Sequence, residues 1–219
     1  MKIKSIVTGA TGMVGEGVLH ECLIHESVEE VLVIGRRSCK IRHIKLKEII
    51  QPDMFDISVL DDQLKGYNAC YFCLGISSVG MKEDQYKKIT YDLTMNFANK
   101  LVELNKDMIF CYVSGAGTDS SEKGRSMWAR IKGKTENDLL KLPFKKAFMF
   151  RPGFMQPTKG LKNTLRMYKN LGWLYPVLKL LLPGFVCKLS DLGKAMIKVC
   201  TNDYEKTVIN TRDIIQLNY

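Results

Sequence analysis

The stretch "IKSIVTGATGMVGEGV", residues 3–18, runs from an apolar segment through a glycine loop into a helical pattern. Residues 3–10 read as a strand. Residues 13–25, "MVGEGVLHECLIH", read as a helix with apolar residues at helical spacing. Between them Gly9, Gly12 and Gly15 recur every third position. Gly9 permits a tight turn, Gly12 lets backbone approach a phosphate, and Gly15 allows the helix to pack closely on the strand. The N–H groups that open the helix then face a diphosphate, aided by the helix dipole. A glycine loop alone can be an ordinary turn; between a first strand and a first helix it points to a dinucleotide.

Outward from that loop, strand and helix patterns alternate. "EEVLVIGRR" (29–37) is a second strand and "IRHIKLKEII" (41–50) a shorter third. "LDDQLKGY" gives a short helix, "ACYFCLGIS" (69–77) a buried strand, and residues 84–105 a long helix. "DMIFCYVSGAG" (107–117) and "KKAFMFRPGF" (145–154) are further strands, separated by the helix that starts in "RSMWARIKGKTE" (125–136). "SDLGKAMIKVCTN" (190–202) is a late helix with Ser190 as its cap. This alternation predicts an α/β fold: a Rossmann-type, doubly wound parallel sheet in one domain spanning 1–219. A C-terminal cap segment for substrate is expected as an insertion over 154–186.

Composition limits the function classes. The chain has 219 residues, enough for one full domain, and its 46% hydrophobic residues suit a globular protein. No apolar run is long enough for a membrane span, and the start does not read as a signal peptide. "LGWLYPVLKLLLPGFV" (171–186) is broken by Pro176, Lys179 and Pro183. It reads as a buried or partner-facing helix pair, with a substrate cap or a membrane-surface patch as the alternative. The seven cysteines are scattered. Cys70 and Cys73, three apart in a strand, point to opposite faces, so neither a shared metal nor a redox pair is expected. They read as buried small hydrophobes in a reducing, cytoplasmic setting. The net charge of +10 is spread along helices without a nucleic-acid motif, so a specific nucleic-acid partner is not expected. The long helices can pair two subunits or only cover the sheet.

Where an Asp or Glu would meet a free ribose 2′-hydroxyl, roughly twenty residues beyond the loop, the chain offers "IGRR". The guanidiniums of Arg36 and Arg37 suit a 2′-phosphate, which they can grip by paired, charge-assisted hydrogen bonds. NADP is therefore expected over NAD.

These residues, with "CLG" at 73–75, "VSGAG" at 113–117, "KGKTE" at 132–136 and "RPGF" at 151–154, resemble the short-chain dehydrogenase/reductase superfamily. The likeness is nearest its atypical NAD(P)H-binding branch, with epimerase/dehydratase-like and Tat-interacting-protein-like members, and covers nearly the whole chain. The resemblance implies that Gly9, Thr11, Gly12, Met13, Val14 and Gly15 lie along the diphosphate and Arg36 and Arg37 hold the adenosine phosphate. It places Asp53 and Met54 beside the adenine, Leu74 and Gly75 at the turn after the fourth strand, and Pro152, Gly153 and Phe154 at the nicotinamide. Asp53 fits an ordinary turn equally well. Ser114 corresponds to the family's active-site serine and Lys132 to the lysine that holds the nicotinamide ribose. No metal is implied.

One position departs from the pattern. The family's Tyr-x-x-x-Lys is Trp128-x-x-x-Lys132 here, with both side chains on one helical face. An indole N–H donates a hydrogen bond but offers no lone pair to exchange a proton. Trp128 fits three roles: core packing with Met127, Ile131 and Leu139, a wall of the nicotinamide pocket, or substrate positioning in a mechanism without a phenol. Tyr91 and Tyr112 are candidate surrogate donors. Two functions stay open: an NADP-dependent oxidoreductase acting on a small, uncharged or weakly polar substrate, and a non-catalytic NADPH-binding sensor or regulatory module.

Overall fold

A computed structural model describes residues 2–164 and 175–219. Seven strands form one parallel sheet: β1 (Ile3–Thr8), β2 (Val28–Gly35), β3 (Leu46–Ile50), β4 (Ala69–Phe72), β5 (Ile109–Val113), β6 (Lys146–Arg151) and β9 (Val208–Asn210). Their order is β3-β2-β1-β4-β5-β6-β9. The chain steps outward from β1 to β3, then returns to the other side of β1 and steps outward again. The carboxyl ends of β1 and β4 therefore flank the switch point, where a sheet of this kind leaves a crevice. Thr8 ends β1 in register with Ile34 of β2 and Phe72 of β4, and Phe72 is in register with Tyr112 of β5.

Helices cover both faces because β1, β4, β5 and β6 bury nearly every side chain, leaving two apolar surfaces to shield. On one face α1 (Met13–Ile24) and α7 (Leu189–Thr201) close over Val7, Tyr71, Phe148 and Phe150. They approach through Gly17, where a Cβ would collide with the Leu189 side chain, and Gly193, where it would collide with Glu21. On the other face α4 (Leu93–Leu104) and α5 (Met127–Leu139) cover Ile6, Phe72 and Phe110. Cys70 belongs to this second core while Cys73 packs on the first, as their odd spacing requires. All seven cysteines are free, and no group that could hold a metal occurs among the described residues.

Several elements differ from the sequence reading. The third strand begins only at Leu46, because residues 41–45 are irregular and Ile44 is fully exposed. The long helix is interrupted: α3 (Glu83–Lys87) passes through a π-helical turn, Lys88–Asp92, before α4. Ser190 does not cap α7. The helix starts at Leu189, its cap is Lys188, and the Lys188 N–H donates to the Asp191 carboxylate at 2.9 Å. Strand β9 and the short α8 (Thr211–Gln216) complete the sheet at one edge, and neither was foreseen.

Strands β7 (Phe154–Gln156) and β8 (Val186–Lys188) form a small parallel sheet of their own, so the chain that leaves β7 at Gln156 comes back beside it at Val186. Within this segment α6 (Tyr175–Leu181) is described, whereas Trp173 lies outside the described residues. The helix buries Tyr175 and exposes Val177, Leu180 and Leu181, so of the expected buried or partner-facing helix the described part is not buried within this chain. Glu16 fastens the start of the segment: its carboxylate accepts the N–H groups of Lys162 and Asn163 at 2.9 and 2.7 Å.

Candidate functional site

The glycine loop is shaped by contacts only glycine permits. Gly9 has φ +73°, and a Cβ there would lie 2.7 Å from the Cys73 carbonyl oxygen. Gly15 stands so close under the loop that its Cβ would meet the Gly9 carbonyl at 2.2 Å. Gly12, the cap of α1, donates its N–H to Gly9 at 2.9 Å. Its own added Cβ would meet nothing nearer than 3.4 Å, so its outer side is open to a ligand. The first intrahelical bond runs from Glu16 to Gly12, which leaves the N–H groups of Met13, Val14 and Gly15 without helical acceptors. Thr8, fully buried, accepts the Leu74 N–H on Oγ1 at 3.2 Å and holds the ends of β1 and β4 together.

A cleft of about 360 Å³ opens at this switch point. Gly9, Thr11 and Gly12 form one wall, Arg36 and Arg37 a second, Asp53 and Met54 a third, and Leu74 and Gly75 the fourth. The two arginines are exposed, and neither is paired with a carboxylate among the described residues. Asp53 turns its carboxylate inward to its own loop, accepting the Phe55 N–H at 2.9 Å. It lines the cleft with its carboxylate engaged in this turn. Met54 is buried. Phe55 and Ile89 also line the cleft, Ile89 from the π-helical turn. Ile89 is not legible in the sequence, for a helical period carried straight through residues 84–105 conceals an extra residue in one turn.

The other residues gather at the ends of β5 and β6 and do not line that cleft. The Lys132 ammonium donates to the Ser114 carbonyl oxygen. Burial pushes its pKa down to about 8, against an opposing pull from Glu136. Ala116 donates its N–H to the Pro152 carbonyl at 2.9 Å, which ties the loop after β5 to the turn after β6. Gly153 donates to the Thr211 hydroxyl at 2.9 Å, and Phe154 to the Phe185 carbonyl at 2.9 Å. Trp128 is half-buried, and its ring lies 3.2 Å from where a Cβ on Gly117 would stand. It packs on the β5–α5 loop, one helical turn from Lys132.

Ser114 follows directly on the last residue of β5. It is buried, and its hydroxyl lies within hydrogen-bond reach of both the Glu136 carboxylate and, at 3.1 Å, the Phe150 carbonyl. A hydroxyl has one proton, and the charged acceptor is the stronger partner. Glu136, also buried, takes the Arg151 guanidinium on both oxygens, with Nε at 3.0 and 3.1 Å. Glu136 and Arg151 lie within "KGKTE" and "RPGF", where the sequence pattern assigns them no role. Glu136 stands four residues after Lys132 on the same helix face, a spacing that hints at the carboxylate but not at its partners Ser114 and Arg151. Neither surrogate tyrosine serves this site. Tyr112 is sealed in the core, where burial drives its phenol far up, and Tyr91 donates to Asp138 at 2.8 Å.

Comparison with known proteins agrees with this geometry. Residues 5–121 match the family described as "NAD dependent epimerase/dehydratase family". The mitochondrial protein FMP52 of Candida albicans is 24% identical over 89% of this chain and 86% of its own. The rat protein HTATIP2 is 26% identical over 71% of this chain and 64% of its own, which supports the atypical branch. Among solved structures, the UDP-N-acetylglucosamine 4-epimerase of Methanobrevibacter ruminantium superposes with a TM-score of 0.68 at 16% identity, over 96% of this chain and 76% of that one. UDP-glucuronic acid 4-epimerase of Bacillus cereus, in complex with NAD, gives 0.67 at 13%, over 95% and 76%. These establish the fold. The fungal relatives also overturn the cytoplasmic expectation, since they are named as mitochondrial proteins. Unpaired cysteines argue only against an oxidising compartment and do not single out the cytosol. With the glycine loop, the switch-point cleft and the family match over more than half its length, the chain belongs to the NAD dependent epimerase/dehydratase family.

Proposed function

We propose that the chain binds NADP(H) in the switch-point cleft and acts as an oxidoreductase on a small, weakly polar substrate. The observation that carries the reading is the placement of Arg36 and Arg37: exposed, unpaired with carboxylates among the described residues, and on the same cleft as the glycine loop. The free amides at the start of α1 fit a diphosphate, and the open side of Gly12 leaves it room. Bound there, the dinucleotide would supply hydride chemistry. Lys132 would hold the nicotinamide ribose, with Pro152, Gly153 and Phe154 beside the ring. The segment 154–186 would close over substrate, and its apolar sequence favours an uncharged ligand.

Calorimetric titration with NADPH and NADH tests this. NADPH is expected to bind at least about tenfold more tightly, and Arg36→Ala with Arg37→Ala to erase the difference. Equal or tighter binding of NADH would overturn the preference.

A second reading, a nucleotide-binding sensor without turnover, is favoured by one observation. Trp128 replaces the phenol, while the Ser114 hydroxyl is engaged by Glu136. Following NADPH oxidation with a panel of aldehydes, ketones, quinones and enones separates the two. Turnover by the native chain supports the enzyme. Turnover that appears only in Trp128→Tyr supports the sensor.

A further inference from the structure

The surface around α6 is unlike the rest of the molecule. Val177, Leu180, Leu181, Leu182 and Phe185 are all exposed, Leu180 by 82% and Leu181 by 69%. Among the described residues, exposed large apolar side chains elsewhere are spread over separate elements, whereas these five belong to one short helix and the turn that follows it. Val177, Leu180 and Leu181, spaced i, i+3 and i+4, share one face of the helix and form an apolar ridge beside that turn. Cations accompany them: Lys179 lies on the helix, and Arg212 and Lys206 line the same groove as Leu181, Leu182 and Phe185. Lys206 is bound to Asp213 at 2.6 Å. The Arg212 guanidinium lies against Gly184, where a Cβ would stand 2.3 Å from its Nε, and it has no carboxylate partner among the described residues.

We infer that this face docks on an anionic lipid bilayer, with the ridge inserted among the upper acyl chains and Lys179 and Arg212 among the headgroups. A seven-residue helix is far too short to cross a bilayer, and no described helix can. Shallow insertion needs only protruding apolar side chains, since fluid lipid requires no complementary shape. Stable attachment takes two signals, and apolar area with adjacent cations supplies both. The charge balance selects this occupant over a second copy of the chain. Another molecule would also carry +10 and would bring like charges to the same contact.

Co-sedimentation with large vesicles tests the assignment, using phosphatidylcholine alone and with about one-third phosphatidylglycerol. At about 0.1 M salt the protein is expected to partition at least about tenfold more strongly onto the anionic vesicles, and to leave them as salt is raised. Leu180→Asp with Leu181→Asp should lower that partition by about tenfold or more. Both sites are exposed, so the melting temperature should hold, which separates lost docking from lost folding. Lys179→Glu with Arg212→Glu should erase the preference for anionic vesicles. Absence of sedimentation, equal partition on both vesicle types, or full binding by the leucine variant would overturn the inference. So would a dimer in light scattering that Leu180→Asp dissolves, because a second copy would then be what covers the ridge.

Discussion

Lys132 carries its charge at neutral pH and sheds it in mildly alkaline solution, because burial pushes its pKa down to about 8. An ammonium offers three donors, and its neutral form gives one up while losing its attraction for a nearby anion. Affinity for NADPH should therefore weaken as pH rises through about 8, and Lys132→Arg should flatten the profile in a fluorescence titration. Stability follows the opposite course. Below pH 8 the folded and unfolded chains are both protonated here, and the burial penalty is present in full. Above it the folded chain releases its proton first, so this residue's contribution to stability improves with pH until the unfolded lysine also titrates. Glu21, buried between α1 and α7, is raised by desolvation, with Lys194 and His20 pulling it partly back and Asp191 pushing it further up. Its folded form holds a proton longer than its unfolded form, so stability is lost as pH climbs through the folded value. Glu21→Gln is expected to melt higher than the native chain at neutral pH, with the gap closing towards pH 4, as calorimetric scans would show.

Helix α5 shows propensity yielding to packing. Replacing a glycine by alanine in an exposed helix gains roughly 1 kcal/mol. At Gly133, however, a Cβ would lie 1.8 Å from the Asp119 carbonyl oxygen, where the helix crosses its own leading loop. Gly133→Ala should therefore destabilise by about 2–3 kcal/mol in urea unfolding, whereas Gly75→Ala, with nothing within 4 Å, should leave stability unchanged. The same contrast explains which elements could be read in advance. β1, β2, β4, β5, β6, α1 and α5 are long enough, or apolar enough, to show their period. β7, β8 and β9 have three residues each, too few for any alternation to emerge. The start of α7 was displaced because its cap bond runs from the Lys188 N–H to the Asp191 carboxylate, while the serine beside it resembles a cap and is not one.

At the scale of the whole molecule, the crossover from β3 back to β4 brings together residues far apart in sequence. The glycine loop, the arginine pair and the β4 turn were each visible as local motifs, and the topology set them around one cleft. The Ser114–Glu136–Arg151 cluster was not visible. It depends on a helix and two strand ends meeting, and no local spacing encodes that. Glu16 joins distant parts in a similar way, since it lies in the first turn of α1 and also secures the backbone beyond β7. Anything that steadies the front of that helix should steady the exit of the chain as well. Trypsin should then cut after Lys162 several times more slowly once NADPH is added, and Glu16→Ala should remove this protection, as peptide mass spectrometry would register. A single carboxylate would thus act as a latch, reporting occupancy of the glycine loop as protease resistance in the segment beyond β7.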